Sequence, residues 1–372
     1  MSAPTARPVL ATAAQPTWLC YAVDAVAAPA APSAESREQL PALIRGFRVS
    51  QAIYVATRLG IPDLLAEGPR AIGDLAEAAG AHARSPGRLL MFLASVGVLD
   101  KVGPDRFALT PVAVALRTDV PGSVRSSVLF QLNDSHSRSW GDLLHSVRTG
   151  VTAFNHVHGK GLFDYLAQNP EVSALFNQGM LGNSPAHAQL IARSYDFAGM
   201  KTVIDVGAGR GRLIATILAE HPHLKGVLFD QPHVLSDART LIEEACVVQR
   251  CELIGGDFFK NVPAGGDAYI LRNIIHDWQD EDGITILTAC RRAMTDGARL
   301  VLVERQLPDD PRAEPSVFLA DLEMLVNVGG RERTTEEYAA LFARSGLELA
   351  RTISLGGTKD AMGHYLVEAR PV

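Results

Sequence analysis

Acidic, aromatic and histidine side chains follow several apolar runs in the second half of the chain. The runs are rich in β-branched residues and alternate with helical patterns, which predicts a parallel sheet with helices on both faces. They cover residues 202–206, 226–230, 251–257, 268–275 and 299–304. Because ligands of open parallel sheets bind at the carboxyl ends of the strands, we expect the residues that end these runs to form one site.

His276 is the residue best suited to proton transfer. It follows the fourth run, and Glu304 closes the fifth. If the two strands are adjacent, the carboxylate can hold one imidazole nitrogen and leave the other to face a substrate. A base that titrates near neutral pH is suited to deprotonating a phenol, whose pKa is about 10. We therefore predict that His276 is a general base and Glu304 its partner; a structural histidine is the alternative interpretation.

The turn after the first run, in the segment VIDVGAGRGR, has glycines at alternate positions. Gly207, Gly209 and Gly211 allow a ligand to approach the backbone closely. A dinucleotide-binding turn has its third glycine where this chain has Arg212. The G-x-G-x-G spacing, with Asp205 before it, is instead typical of S-adenosylmethionine methyltransferases. We predict this methyl donor as the cofactor; a tight turn without a ligand is the alternative.

The other runs offer contacts for the remaining parts of this donor. Asp230 closes the run GVLFD, where a carboxylate can bind the two ribose hydroxyls. Asp257 can accept a hydrogen bond from the adenine amino group, and Phe258 can cover the adenine ring. Arg272 can reach the methionyl end, although a strand residue at this position can equally point away. We assign all four residues to the predicted cofactor site.

Composition limits the class of protein. The chain has 372 residues, of which 47% are hydrophobic and 20% charged, and its formal net charge is −6. These values are ordinary for a globular protein and provide no overall attraction to nucleic acid or to an anionic membrane. The four cysteines form no C-x-x-C pair, so we expect neither a metal site nor a disulfide framework. No apolar run reaches about 18 residues, and we expect a soluble, cytoplasmic protein.

The chain divides into four predicted segments. Residues 1–35 are an Ala- and Pro-rich tail that we expect to be disordered. Residues 36–120 follow the helix, helix, helix, wing order of a winged helix. Its third helix, residues 89–96, is too apolar to read DNA, so we predict dimerisation and treat DNA recognition as the alternative. Residues 121–200 are predicted to be a helical linker and substrate-pocket region, and residues 201–372 an α/β, Rossmann-like catalytic domain.

Aromatic and amide side chains at helical spacing in the third segment can line a flat, apolar pocket. Most single apolar residues at such spacing belong to the core, and we expect the same for about two thirds of these. The predicted substrate-binding residues, some of them in the catalytic domain, are Trp140, Phe163, Phe176, Met180, Asn183, Asp277, Met324 and Asn327.

From about residue 40 to residue 370 the chain resembles the plant-caffeate-type O-methyltransferases, particularly their bacterial natural-product branch. The resemblance rests on the order and spacing of VIDVGAGRGR, LFDQP, GGDFF, IIHDWQDED, RLVLVERQLP and GGRERTTEEYAALFARSG. It implies a class I methyltransferase sheet, and a homodimer whose winged-helix-like domain forms the interface. It also implies that His276 is the general base, flanked by Glu304 and Glu332. Arg272 lies where plant members have lysine, which retains the charge but changes its geometry.

Three functions are compatible with these patterns. The first is S-adenosylmethionine-dependent methylation of a phenolic or polyketide hydroxyl. The second keeps the cofactor but has drifted to decarboxylation or hydroxylation of a polyketide, as a few relatives of this branch have. The third is a transcriptional regulator that uses the winged helix. The intact pair His276 and Glu304 favours the first.

Overall fold

A computed structural model describes residues 33–181, 185–356 and 363–372. The predicted tail up to residue 32 and the predicted substrate residue Asn183 lie outside the described residues. The first described helix, α1, begins at Ala34, so the predicted boundary at residue 35 falls inside a helix. Alanine and glutamate, both good helix formers, start this helix.

One long helix, four shorter helices and a small antiparallel sheet form the N-terminal unit. The helices are α1 (Ala34–Arg58), α2 (Ile61–Leu64), α3 (Ile72–Ala78), α4 (Ser85–Ser95) and α5 (Pro111–Val114). The strands are β1 (Arg70–Ala71), β2 (Leu99–Lys101) and β3 (Arg106–Leu109), with β3 in the middle. The predicted two-stranded wing therefore has a third strand, β1, which is too short to show as a pattern.

One face of this N-terminal unit is apolar and exposed. Helix α4 buries Leu90 and Leu93 in the core of the unit, but Met91, Phe92 and Val96 on its other side are 47%, 37% and 42% exposed. The sequence predicted that this helix is buried, and within one chain only half of it is. Adjacent apolar side chains left in water at this density mark an interaction surface.

A run of helices leads from this unit to the catalytic domain. They are α6 (Arg125–Gln131), α7 (Asp134–Gly141), α8 (Leu143–Thr149), α9 (Ala153–His158), α10 (Leu162–Gln168), α11 (Pro170–Leu181) and α12 (Pro185–Ser194). Asn133 caps α7 and Thr152 caps α9 by accepting a backbone N–H, which explains why two short helices begin there. Phe154, Leu162 and Leu166 form a small separate core among these helices.

The catalytic domain is built on a sheet of seven strands in the order β6-β5-β4-β7-β8-β10-β9. The strands are β4 (Thr202–Val206), β5 (Lys225–Asp230), β6 (Cys251–Gly255), β7 (Ala268–Arg272), β8 (Arg299–Arg305), β9 (Leu347–Ser354) and β10 (His364–Pro371). Strands β4 to β8 are parallel, whereas β10 runs antiparallel to both β8 and β9. The predicted parallel sheet with two final strands is confirmed.

Helices cover both faces of this sheet, and each face has its own core. Helices α12, α13 (Arg212–Glu220) and α14 (Leu235–Glu244) contribute to one core, and α15 (Asp280–Ala293) and α17 (Thr335–Arg344) to the other. Helix α16 (Pro315–Glu323) precedes the Met324–Val328 segment and belongs to neither core. Short segments of tighter or wider helix lie at Val248–Arg250, Ile275–Asp277 and Met324–Val328. Among the described residues, no helix is long and apolar enough to cross a membrane.

We predict that the exposed face of α4 contacts a second copy of the chain. In Met91→Glu, dimerisation should weaken at least tenfold, because a carboxylate within an apolar contact loses its hydration without gaining a partner. Sedimentation equilibrium over a range of protein concentrations measures the change. Val248→Glu, at a similarly exposed valine on the catalytic domain, is the matched control. If both variants dimerise like the parent protein, the interface lies elsewhere.

Candidate active site

The glycine turn between β4 and α13 forms an open cradle. Gly207, Gly209 and Gly211 have φ of 72°, 57° and 79°, a left-handed conformation that other L-residues rarely adopt. A β-carbon at Gly207 would lie 2.5 Å from the Ile274 side chain, and one at Gly211 would lie 2.4 Å from that of Leu228. Gly209 has open space beside it. Gly207 and Gly211 therefore allow close packing of the turn against the protein, and Gly209 is where a ligand has room to approach.

Asp230 links this cradle to the end of β5. Its Oδ2 accepts the Gly209 N–H at 2.7 Å, and its Oδ1 accepts the N–H of Gln231 at 2.6 Å. Burial raises the pKa of Asp230, while the two backbone bonds lower it in part. Each carboxylate oxygen retains a second lone pair. Asp230 can therefore hold the turn and accept from ribose hydroxyls at the same time.

Asp205 and Arg272 lie on the sheet face that packs against α12. The Arg272 guanidinium lies 3.0 Å from the ring of His187, so its side chain does turn toward this helix. Burial raises the pKa of Asp205 to about 7 and lowers that of Arg272 to about 10. Asp205 Oδ2 and Arg272 Nε have no hydrogen-bond partner in the described chain. Unpaired buried groups of both signs fit a zwitterionic ligand such as the methionyl end of the predicted donor.

Asp257 and Phe258 follow β6 on the other side of the cradle. Asp257 pairs with Lys260 at 3.0 Å and accepts the N–H of Phe259 at 3.0 Å. Phe258 approaches the glycine turn, since a β-carbon at Gly207 would lie 3.5 Å from its ring. Phe258 thus lies beside the glycine turn with Asp257 next to it in the chain, and their contact with adenine stays a prediction.

His276 lies in the short helical segment after β7, surrounded by carboxylates. Its Nδ1 is 3.1 Å from Glu332 Oε1 and 3.6 Å from Glu304 Oε2, and its Nε2 is 3.5 Å from Asp277 Oδ1. Burial disfavours the charged ring, but the three carboxylates outweigh it and raise the pKa of His276 to about 10. The sequence predicted a base that titrates near 7; the carboxylates make a stronger one.

Glu304 and Glu332, both expected beside His276, make different contacts. Only Glu332 is within hydrogen-bond distance of the imidazole, and His276 and Arg305 keep the pKa of Glu332 low despite its burial. Glu304 Oε1 instead accepts the N–H groups of Ile274 and Ile275, at 3.0 and 2.8 Å. Burial raises the pKa of Glu304 to about 7. Glu332 therefore orients the ring, and Glu304 fixes the backbone that carries it.

The GGRER segment explains how Glu332 reaches His276. Gly330 lies against the His276 segment so closely that a β-carbon would be 1.9 Å from the His276 carbonyl oxygen. The Arg331 N–H donates to that same oxygen at 2.9 Å. Arg333, fully buried, donates to the carbonyls of Ile275 and Trp278 at 3.0 and 2.8 Å. The sequence did not predict a role for Arg333, and the available signal was a run of charged residues directly after Gly329 and Gly330.

Aromatic rings line the space in front of this segment. Trp278 contacts Phe259 edge-on at 4.7 Å and lies parallel to Phe163 at 6.4 Å. Phe176 lies edge-on to Phe163 at 6.4 Å and to Phe130 at 5.2 Å. Two of these residues, Phe163 and Phe176, were predicted substrate contacts. Trp278 and Phe130 were not in the predicted substrate set.

The other predicted substrate residues lie in several elements. Asp277 is beside His276, and burial raises its pKa to about 6. Trp140 donates to Glu323 at 2.8 Å, and Asn327 donates to the same carboxylate at 2.8 Å. Met324 is buried in the segment that follows α16. Met180 lies in α11, and Asn183 lies outside the described residues.

Two clusters of described residues have groups that could bind a metal ion, and one of them lies at the surface. Atoms of Asp142, His145 and His156 come within 4.8 Å of one another. The two imidazole rings are parallel and 3.8 Å apart, so one ion cannot lie in the plane of both. His276, Glu304 and Glu332 also meet the distance, but those groups bond to one another and to the backbone. Neither arrangement is a preformed metal centre.

Family comparison agrees with this geometry. The model of the O-methyltransferase domain matches residues 140–348, and that of the O-methyltransferase dimerisation domain matches residues 42–119. The first of these spans more than half of the chain. The chain belongs to the O-methyltransferase family. The class I methyltransferase fold, the S-adenosylmethionine cofactor and the homodimer expected from the sequence are thereby confirmed.

Individual relatives show how far the similarity extends. The phenazine O-methyltransferase PhzM of Lysobacter antibioticus is 43% identical over 330 residues, which are 89% of this chain and 95% of the relative. The solved mitomycin 7-O-methyltransferase MmcR is 38% identical, with a TM-score of 0.86 over 91% of this chain and 98% of its own. The neocarzinostatin O-methyltransferase NcsB1, solved with S-adenosylmethionine and 2-hydroxy-5-methyl naphthoic acid, is 30% identical, with a TM-score of 0.76 over 87% and 96%.

We predict that Gly330→Ala disables this O-methyltransferase. The added methyl group cannot fit 1.9 Å from the His276 carbonyl, so the His276 and Glu332 segments must separate. Turnover should fall at least a hundredfold, while the affinity for S-adenosylhomocysteine, measured by calorimetry, changes less than threefold. Gly297→Ala, where a β-carbon has nothing within 4 Å, is the matched control. Near-normal turnover in Gly330→Ala would contradict the arrangement described for these two segments.

Proposed function

We propose that the enzyme methylates a phenolic hydroxyl of a small aromatic natural product, with His276 as the general base. The observation that carries the proposal is the buried imidazole of His276, bonded to Glu332 through Nδ1. That bond leaves Nε2 as the nitrogen that faces an acceptor. The aromatic rings in front of it provide flat, apolar walls suited to a planar acceptor.

The residues divide between donor and acceptor. Gly207, Gly209 and Gly211 provide the cradle, and Asp230 takes the ribose hydroxyls. Asp257 and Phe258 bind the adenine, while Asp205 and Arg272 face the methionyl end. Phe163 and Phe176 contact the acceptor, with Asn327 and Asp277 as polar contacts. Bound S-adenosylmethionine supplies an electrophilic methyl group on a sulfonium.

Proton transfer is the step that the protein itself performs. The acceptor hydroxyl gives its proton to His276 Nε2, and its oxygen forms the new bond to the methyl carbon as the carbon–sulfur bond breaks. The pKa raised to about 10 makes the neutral ring a strong proton acceptor, but it also keeps the ring mostly protonated at pH 7. Methyl transfer requires the neutral form, so turnover should increase as the pH rises. Glu332 stabilises the imidazolium that results, and Arg305 at 3.4 Å keeps Glu332 ionised.

Several relatives indicate the class of acceptor. The names of four curated relatives refer to O-methylation of phenazine, mitomycin, O-demethylpuromycin and 3-amino-4-hydroxybenzoate, whereas two other names refer to N-methylation. An O-methyltransferase acts on a hydroxyl, and the fourth of these names gives that hydroxyl on a benzoate ring. We propose the same class here, and place the reaction in the cytoplasm, where the three described cysteines stay reduced.

The function is tested with labelled S-adenosylmethionine and a panel of phenols of graded acidity at pH 7. The labelled methyl group should appear on the oxygen of the acceptor hydroxyl. His276→Gln should lower turnover at least a hundredfold for weakly acidic phenols, and much less for nitro-substituted phenols that are already ionised. An equal loss across the panel would show that His276 acts by packing. Conversion of a substrate without incorporation of labelled methyl would instead support the alternative function, decarboxylation or hydroxylation.

Glu332→Gln provides the matched comparison. Removing this carboxylate takes away a negative charge and the Nδ1 partner, so the pKa of His276 should fall from its raised value. NMR titration of labelled histidine, with His276→Gln for assignment, measures the shift. Turnover should fall about tenfold, since the base remains but loses its orientation. Glu281→Gln, at an exposed ion pair with Arg344, should change neither quantity.

A further inference from the structure

A buried histidine holds Arg272, one of the residues assigned to the donor site. His187 in α12 is fully buried, and its Nδ1 lies 3.0 Å from Arg272 Nη2. Because an arginine side chain can only donate, Nδ1 is the acceptor of this hydrogen bond. Among the described residues, the Arg272 side chain makes no other hydrogen bond. His187 is therefore the group that fixes the direction of the guanidinium.

His187 holds this cation while it remains neutral. Burial and the neighbouring guanidinium groups of Arg272 and Arg305 lower the pKa of His187 to about 3. At neutral pH the ring is therefore uncharged, and its proton is on Nε2 because Nδ1 accepts. A carboxylate in this position would also hold Arg272, but its negative charge would weaken the attraction of the guanidinium for an anion. A neutral acceptor fixes the guanidinium and leaves its charge available.

His187 is itself held by contacts that lead back to β7. Its ring lies 4.7 Å from the ring of His364, whose Nε2 is 2.8 Å from Asn273 Oδ1. Asn273 follows Arg272 and has a φ of 53° where the chain leaves β7. The contacts thus form a closed circuit through α12, β10 and β7. This circuit fixes the Arg272 side chain relative to its own backbone, as a binding site requires.

The register of the sheet places Arg272 next to the glycine turn. Asp205 in β4 is paired with Ile270 in β7, so Arg272, two residues later, lies beside Gly207. Residues in register on parallel strands face the same side of the sheet, which puts the Asp205 and Arg272 side chains on one face. Arg272 Nε has no partner in the described chain. This part of the guanidinium is available to an anionic group of a ligand bound at the turn.

We propose that His187 is a positioning residue for donor binding, which holds the Arg272 guanidinium toward the methionyl carboxylate and leaves its charge intact. This inference rests on the proposed function, which assigns Arg272 to the methionyl end of S-adenosylmethionine. The carboxylate is the anionic group of that end, and its hydrogen bond with a guanidinium is charge-assisted. His187 does not touch the donor and takes no part in the proton transfer.

The test compares two probes that differ by one carboxylate. They are S-adenosylhomocysteine and decarboxylated S-adenosylhomocysteine, each titrated by calorimetry into the full chain. The ratio of the two affinities is the carboxylate preference. We expect S-adenosylhomocysteine to bind at least tenfold more tightly, which is the effect of one hydrogen bond between charged groups.

Substitutions assign the carboxylate preference to His187. In His187→Phe, which fills the space but has no acceptor, the preference should fall to threefold or less. The affinity for the decarboxylated probe should change less than threefold, because that probe has no group for the guanidinium. His187→Asn places an amide oxygen near the position of Nδ1 and should keep a preference of at least fivefold. His187→Ala also lacks the acceptor and replaces His187→Phe if the larger ring prevents folding.

His221→Phe is the matched control. The His221 ring also bonds to α12, since its Nε2 donates to the Ala192 carbonyl at 3.0 Å, toward the other end of that helix. Its removal takes away a histidine hydrogen bond to the same helix without touching Arg272. The carboxylate preference should therefore change less than twofold.

Each outcome decides the inference. No measurable binding, equal affinities of the parent protein for both probes, an unchanged preference without the His187 acceptor, or an equal loss for both probes overturns it and leaves His187 as a packing residue. A preference that depends on His187, in a protein that transfers no methyl group to any phenol, supports this inference while contradicting the proposed function. Methylation of phenols by a protein without the preference contradicts this inference alone.

Discussion

Two fully buried side chains, Glu304 and Arg333, hold the backbone of residues 274–278, and the position of His276 depends on these contacts. Glu304 accepts the N–H groups at the start of the segment, and Arg333 takes the carbonyls of Ile275 and Trp278. Hydrogen bonds to charged groups contribute about 1.5–3 kcal/mol each. Both side chains are fully buried, so either would be costly without these partners. The segment and the two charges therefore stabilise one another.

The contacts of Glu304 and Arg333 with this backbone restrict the orientation of the His276 side chain. The chain leaves β7 through Asn273, whose φ of 53° turns it sharply out of the strand. Gly330 then allows the GGRER segment to lie directly against the His276 backbone, which brings the Glu332 carboxylate to Nδ1. Asp321 fixes that carboxylate's own backbone by accepting the Glu332 N–H at 2.9 Å. Each contact restricts the imidazole to an orientation in which Nδ1 faces Glu332 and Nε2 lies on the side of Asp277.

Donor and acceptor sites share this segment as a common wall. Ile274 packs against the glycine turn on one side, and Trp278 faces the aromatic rings of the helical region on the other. A displacement at the His276–Trp278 end of the segment would therefore disturb the aromatic side, and one at Ile274 would disturb the glycine turn. Methyl transfer requires close alignment of oxygen, carbon and sulfur, and a shared rigid wall is a direct way to provide it.

Sequence alone determined the features that neighbouring residues encode. The glycine spacing predicted the turn after β4, and Thr334 with Glu337 forms the capping box that starts α17. The apolar runs predicted the strands. The residues at the ends of these runs, among them His276 and Glu304, were predicted to belong to one site. Such features depend on backbone conformation and on periodicity, both of which can be read over a few residues.

Tertiary structure decided which of these residues touch. Glu332, 56 positions after His276, is its hydrogen-bond partner, while Glu304 binds backbone. The raised pKa of His276 follows from three carboxylates that different segments bring together. The contact of His187 with Arg272 became visible only when the positions of both side chains were known. Contacts between distant segments depend on how helices and strands pack, and no local pattern in the sequence records that packing.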